Sequence, residues 1–341
     1  MTVVTAGVSS VGIDAVDGGV QRVEWDTYVQ GHALATGYHQ WCWREVFERV
    51  FGHGSTYLVA KRQGRVVGVL PLVSFRSRLF GRFLVSLPFV NYGGVLADDP
   101  ETAAALLEEA RRECVRQGGE SVELRHLRPM FQHLPARQHK VVMTLHLPES
   151  ESAAWKELDN KVRNQIRKAQ KSELRAIVGG AELVREFYEV FARNMRDLGT
   201  PVYSRRLFSE VLARIPDTRV YVVRLGGRPI ASGITIRYRD TLENPWASSL
   251  RQYRSTNANM LLYWTMLQDA ISRGCAVFDF GRSTLNEGTY HFKRQWGATP
   301  TPCSWEYVLS NRGDLPDRSP GNPRYATAIR IWQHLPVGIT R

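Results

Sequence analysis

Long apolar runs are missing from this sequence, and so are most of the short motifs that announce a particular chemistry. The most apolar stretch, Val66 to Val90, is broken by Arg76, Arg78, Gly81, Arg82 and Pro88. No window reaches the roughly 18 uninterrupted apolar residues that a membrane-spanning helix needs. Met1 to Asp17 is polar and small, without the basic start and apolar stretch of a secretion signal. A cytoplasmic location is expected. Cysteine is scarce, and Cys42, Cys114, Cys275 and Cys303 lie far apart, with no CxxC pair and no Cys/His pairing at zinc-ligand spacing. They read as buried apolar fillers. There is no GxxxxGK[ST] loop, no GxGxxG after a strand, no GxSxG and no HExxH. Lone histidines such as His53 and His126 read as surface or capping residues. Neither a metal nor a tightly bound cofactor is expected.

Acidic residues are also in deficit: 33 Asp and Glu stand against 45 Lys and Arg, a net charge of +12. Such a balance favours anionic partners, whether nucleic acid, phosphorylated metabolites or an acidic membrane surface. Composition is otherwise ordinary, with 43% hydrophobic and 23% charged residues, which excludes wholesale disorder. At roughly 150 residues per domain, 341 residues predict about two domains.

The chain repeats itself once. From Tyr57, YLVAKRQGRVVGVLPLVSF reads as two strands around the turn Gln63-Gly64, and from Tyr221, YVVRLGGRPIASGITIRY has the same layout around Gly226-Gly227. Each hairpin follows an aromatic-rich helical pattern, Gln40 to Phe51 and Leu183 to Met195. Each precedes a second helix, Thr102 to Gln117 and Asn259 to Arg273, stopped by glycine, and then a short strand, Ser121 to His126 and Ala276 to Phe280. Two similar domains are predicted, each a mixed α/β sheet flanked by helices. Leu147 to Ser150 is the expected linker, giving domains over 1–150 and 151–310. Residues 311–341 would form a loop (Asn311 to Asn322) and a short helix (Tyr325 to His334).

Three stretches carry chemical information. In Trp155 to Arg175, the residues Arg163, Arg167, Lys171 and Arg175 recur every four positions, which predicts one basic helical face with Asp159 as its nearest internal partner. Like charges at that spacing repel unless an anion is nearby, so the face is either simply solvated or a phosphate or carboxylate contact. The second stretch is YRSTNANMLLYW from Tyr253, opening a helix at Asn259. An acyl-CoA site there would pair a basic residue with glycines at the helix start, where backbone N–H groups hold a pyrophosphate. This sequence has Arg254, then Asn257 and Asn259, and Asn257 also reads as a plain N-cap. The third, FDFGRSTLNEGTYHFKRQWGA, ends a buried strand at Asp279-Phe280-Gly281, then opens at Glu287-Gly288 a segment with Tyr290, Phe292, Lys293 and Trp296. Open α/β sheets place ligands at such strand ends.

Together, KVRNQIRKAQKSE at Lys161 to Glu173, FDFGRS at Phe278 to Ser283, YHFKRQWGA at Tyr290 to Ala298 and FVNYGG at Phe89 to Gly94 resemble the FemAB family of non-ribosomal peptidyl and aminoacyl transferases. The likeness is to the FemAB-like proteins that accompany exosortase and exopolysaccharide loci. It implies an α/β fold of two tandem N-acetyltransferase-like domains, each a mixed, mainly antiparallel sheet. It also implies transfer of an acyl or aminoacyl group to a substrate amine in cell-envelope or exopolysaccharide synthesis. The donor would be aminoacyl-tRNA or acyl-CoA, and the acceptor an anionic small molecule, glycan or muropeptide. The resemblance puts Phe292-Lys293 near the aminoacyl ester and Arg163 or Arg167 in the anionic-substrate region. Its motifs add Tyr92 of FVNYGG, Arg282 and Trp296 as candidate substrate contacts, beside Arg254 from the helix start.

Amide formation needs a deprotonated amine, an activated acyl group and a stabilised tetrahedral oxyanion. Lys293 is the candidate positive charge, expected beside a cleft. Asp279 is the candidate base, and Tyr290 the candidate acid toward the leaving group. The competing reading is a duplicated fold without catalysis that binds polysaccharide or nucleic acid as a scaffold. Pure nucleic-acid binding would interleave basic residues with exposed aromatics over a wide surface, whereas here the basic residues spread through both halves, including six with no acid from Lys61 to Arg82.

Overall fold

A computed structural model describes residues 11–52, 54–77, 81–309 and 315 of the chain. His53, the expected C-terminal helix and, apart from Leu315, the expected loop before it lie outside these residues.

The first half contains β1 (Gly12–Val16), α1 (Val20–Gly31), α2 (Cys42–Phe51), β2 (Ser55–Arg62), β3 (Arg65–Ser77), β4 (Gly81–Val85), β5 (Leu96–Ala97), α3 (Pro100–Arg116), β6 (Ser121–His126) and β7 (Ala136–Arg137). The second runs β8 (Lys140–His146), α4 (Glu151–Glu157), α5 (Asn160–Lys171), β9 (Leu174–Gly179), α6 (Val184–Asp197), α7 (Arg205–Arg214), β10 (Thr218–Leu225) and β11 (Arg228–Tyr238). It continues with β12 (Thr241–Ser249), α8 (Ala258–Ser272), β13 (Val277–Thr284), α9 (Gly288–Arg294), β14 (Thr299–Pro302) and β15 (Ser304–Leu309).

Local chemistry sets many of these limits. Both predicted hairpins form, and both turns have positive φ at their two central residues: Gln63 51° and Gly64 76°, Gly226 52° and Gly227 80°. That twist matches the twist of paired strands. Asp99 caps α3 by accepting the Thr102 N–H, and Pro100 occupies the first helical position, where its missing N–H costs nothing. Ala103, Leu106, Ala110 and Cys114 then form the buried stripe of α3. All four cysteines are buried and free.

The two sheets repeat one plan. One has the order β1-β2-β3-β4-β6-β15-β7, with β5 beside β3, and the other β9-β10-β11-β12-β13-β8-β14. In each, one parallel contact, β4 with β6 and β12 with β13, sits among antiparallel ones. The expected boundary near Leu147 is wrong. The first compact unit ends at Arg137 and takes in β15, while the second begins at Gln138 and includes β8. Each sheet is thus completed by a strand that sequence order assigns to the other half. Backbone pairing decides this: β8 bonds β13 and β14, and β15 bonds β6 and β7. The Leu147 to Ser150 stretch is no linker, since Ser150 caps α4 inside the second unit.

In the first unit His126 is neither a surface nor a capping residue. It is 5% exposed, its Nδ1 bonded to Glu306 on β15 at 2.9 Å and its Nε2 accepting the Val95 N–H at 3.1 Å. Among the described residues no helix is long and apolar enough to cross a membrane.

Candidate functional site

The second unit opens where its two parallel strands part. β12 and β13 align over three pairs, Thr241 with Val277, Leu242 with Phe278 and Glu243 with Asp279, and then diverge. Both strands are irregular at that level. The register of β12 against β11 shifts between the pairs of Glu243 and Trp246, and that of β13 against β8 shifts between Asp279 and Arg282. Gly281, at φ 72°, lies in the second irregularity, a β-bulge that only a residue tolerant of positive φ makes cheaply. Strand β13 therefore does not end at Gly281, as expected from the sequence, but bends there and runs to Thr284.

Buried ionisable groups gather at this point. Asp279 is 2% exposed, and its carboxylate accepts the Gly281 N–H at 2.7 Å. Glu243 beside it is also buried. Lys293 reaches the bulge from α9: its ammonium donates to the carbonyl of Gly281 at 3.0 Å and of Arg282 at 2.8 Å. Burial lowers the Lys293 pKa to about 8, with Asp279 and Glu243 pulling it up and Arg282 pushing it down. Lys293 lies within the unit, and its neighbours Phe292 and Gln295 are the ones that line a cleft.

That cleft, of about 410 Å³, lies at the start of α8. Arg254, Asn257 and Asn259 line it from the helix start, Gln165 from α5, Phe292 from α9 and Gln295 from the cap that follows it. Asn257 occupies the N-cap position in the left-handed region, φ 58° and ψ 30°, with no side-chain capping bond. It is a cap by position only, in a backbone conformation that favours glycine and is tolerated by asparagine. The side-chain oxygen of Gln165 is buried and meets no protein donor among the described residues.

The basic stretch folds differently from its periodicity. Trp155 belongs to α4 and Arg175 to β9, so only Arg163, Arg167 and Lys171 share a helix. Asp159 caps α5 through the Lys161 N–H. Arg163 turns back to the Trp155 and Lys156 carbonyls and the Asn160 side chain. Arg167 is exposed and lies over the Trp155 ring at 5.3 Å. Neither lines the cleft at α8. Tyr290 is half-buried beside His291, Trp296 is a core residue, and Arg282 is half-buried on β13. Tyr92 belongs to the first unit, buried edge-on against Tyr38. There the corresponding opening is filled: Ser86 and Gly93 bond the Glu123 and Arg125 carbonyls of β6, and Leu87, Val90 and Asn91 are buried. Glu243, Gln165 and Gln295 were missed from sequence: Glu243 sits in no motif, and Gln165 and Gln295 stand inside quoted motifs among basic and aromatic residues that drew the attention; strand pairing and helix packing bring them in.

Residues 156–294 match the family model of the acetyltransferase (GNAT) domain. That stretch lies inside the second unit and is similar to a GNAT-type acetyltransferase domain. No protein of curated function matches the sequence. Among solved structures, FemX has a TM-score of 0.65 at 12% identity, over 93% of this chain and 100% of that one. A tandem GNAT protein from the clavulanic acid biosynthesis pathway scores 0.59 at 12% identity, over 89% and 100%. The C-terminal domain of a putative lysylphosphatidylglycerol synthetase from Agrobacterium fabrum scores 0.58 at 12% identity, over 86% and 92%. The fold is that of tandem GNAT proteins: two mixed, mainly antiparallel sheets flanked by helices, with the matched GNAT domain in the second unit.

Proposed function

We propose that this protein is a FemAB-like transferase that forms an amide by moving an acyl or aminoacyl group onto a substrate amine, in cell-envelope or exopolysaccharide synthesis. The parted strands at Glu243 and Asp279, with the Lys293 ammonium behind them, carry the reading. FemX and the putative lysylphosphatidylglycerol synthetase share the fold and support it.

The donor's phosphate lies at the start of α8, where backbone N–H groups and Arg254 attract it. The amine nitrogen attacks the donor's carbonyl carbon. Its proton passes to Asp279 or Glu243, and the oxyanion accepts a hydrogen bond from the Lys293 N–H not used on Gly281 and Arg282, without taking its proton. Collapse of the tetrahedral centre breaks the ester or thioester bond, and Tyr290 protonates the leaving oxygen or sulfur. Arg254, Phe292 and Gln295 hold the donor; aminoacyl-tRNA and acyl-CoA are the two donor classes.

A turnover assay comparing those two donors tests the reading. Lys293→Met should lower turnover with the active donor about 10²–10³-fold, the usual loss for one oxyanion donor. A folded Lys293→Met protein with normal turnover removes Lys293 from the chemistry. If neither donor is consumed and polyanions bind with steep salt dependence, the protein is a scaffold.

A further inference from the structure

The second unit has another cleft, of about 370 Å³, which the transfer chemistry leaves without a task. It lies between the turn from α4 into α5 and the chain that leaves α9, and Leu158, Val162 and Trp296 give it buried apolar walls. Gln295 lines this cleft and also the one at the start of α8, so the two are neighbours across its side chain. On α5 they are one turn apart. Lys161 lines one and Gln165 the other, about 6 Å along the helix axis.

Trp296 carries the decisive observation. It is 2% exposed, yet its indole Nε1 meets no acceptor among the described residues. An indole N–H can only donate, and a buried donor is ordinarily satisfied. The ring is held by packing instead, against Tyr263 and Phe292. Glu157 and Asp159 bring carboxylate acceptors to the same cleft; Asp159 also takes the Lys161 N–H as the cap of α5. A buried donor and carboxylate acceptors between apolar walls fit a flat heterocycle with an amino group beside an unprotonated ring nitrogen. The ring nitrogen accepts from the indole, and the amino group donates to a carboxylate. Adenine and cytosine present that pair on one edge. Hypoxanthine and uracil present a carbonyl beside an N–H, which would set one donor against another. Lys161 and Arg294, exposed at the rim, offset the two carboxylates and suit a nucleotide's phosphate.

We infer that this second cleft reads the nucleobase lying beyond the donor's phosphate, an amino-bearing base of the adenine and cytosine pattern. The inference rests on the transfer reading above and deepens it, because the base names the donor. A donor whose phosphate sits at the start of α8 has its acyl end at the parted strands, and its other end leaves past Gln295. In acyl-CoA the base on that side is adenine. In aminoacyl-tRNA the terminal adenosine carries the acyl group, so the base beyond the phosphate is the cytosine before it.

Calorimetric titration of AMP, IMP, CMP and UMP into the full chain tests the site. In at least one pair, AMP with IMP or CMP with UMP, the amino-bearing nucleotide should bind about tenfold tighter than its carbonyl partner. The pair with the larger preference names the donor: adenine for acyl-CoA, cytosine for aminoacyl-tRNA. Trp296→Phe keeps a ring but not the N–H, and should erase the preference while pyrophosphate, which has no base, binds as before. Equal affinity within both pairs overturns the proposal, as does a lack of saturable binding or a folded Trp296→Phe protein that keeps the preference. The comparison within each pair needs no variant, so it decides the matter even where Trp296→Phe does not fold. Turnover of the two donors is measured apart. Base preference without turnover supports the cleft while the transfer reading falls, and turnover without base preference overturns the cleft alone.

Discussion

Glu243 and Asp279 form the last aligned pair of β12 and β13, and the strands part immediately beyond them. Two buried carboxylates thus mark the root of the opening, and the nearby Lys293 ammonium offsets their charge.

Lys293 should titrate apart from the other lysines. In protein labelled at lysine Cε, one NMR resonance should shift with a midpoint of about 8. Lys293→Met should abolish it, and Asp279→Asn should move it lower, because the Asp279 charge favours the ammonium. Stability follows the same sign. The folded value lies below the ordinary 10.5, so the unfolded chain holds more protons between about 8 and 10.5. The contribution of this lysine to stability therefore rises with pH across that window. Urea midpoints of the unmodified protein and Lys293→Met, compared at its two ends, check it.

Gly281→Val should destabilise the second unit by about 1–2 kcal/mol, the cost of a side chain in the left-handed region. It should also remove transfer activity, because straightening the strand withdraws the carbonyls that hold Lys293. Urea unfolding with an activity assay reads both effects. Full activity in the variant would mean that the bulge is dispensable.

Arg163 and Arg167 should separate under substitution. Arg163 bonds two carbonyls in the last turn of α4, so Arg163→Ala should cost about 1 kcal/mol. Arg167 is exposed, its contacts being the Trp155 ring and Asn164, and Arg167→Ala should change stability by less than about 0.5 kcal/mol. Equal thermal shifts in the two variants would contradict this assignment.

Glu306 should be the acid-sensitive fastening of β15 in the first unit. It accepts the Met130 and Phe131 N–H groups and pairs with His126. Burial raises its pKa, but these hydrogen bonds outweigh burial and hold it below the ordinary 4.5. Its contribution to stability is present above about 4.5 and lost as pH falls through the folded value. Glu306→Ala, which strands buried donors, should cost at least about 2 kcal/mol at neutral pH and flatten the acid limb of the stability profile.

Much of the fold is legible in the residues because its signals are local. Gln63-Gly64 and Gly226-Gly227 specify hairpins through backbone freedom at adjacent positions. The stripe from Ala103 to Cys114 fixes α3, and the twofold recurrence of this layout announces two related domains before any contact is known. Lys293, Asp279 and Arg254 also emerge from short motifs.

The periodicity of Arg163 to Arg175 misleads, because helical spacing continues in the sequence past Ser172, where the chain leaves the helix for β9. Residue order determined two α/β halves and the cluster of chemical residues after Phe278, and composition a net positive charge. Tertiary structure decided which strands complete each sheet, since the hydrogen bonds of β8 and β15 join residues far apart in sequence. It also decided the face on which each charged residue stands. One extra residue at Gly281 reverses the alternation of β13, and no pattern of hydrophobicity records that reversal. Glu243 meets Asp279 for the same reason: a parallel contact needs the whole of α8 to return the chain, so their proximity exists only once the sheet has formed.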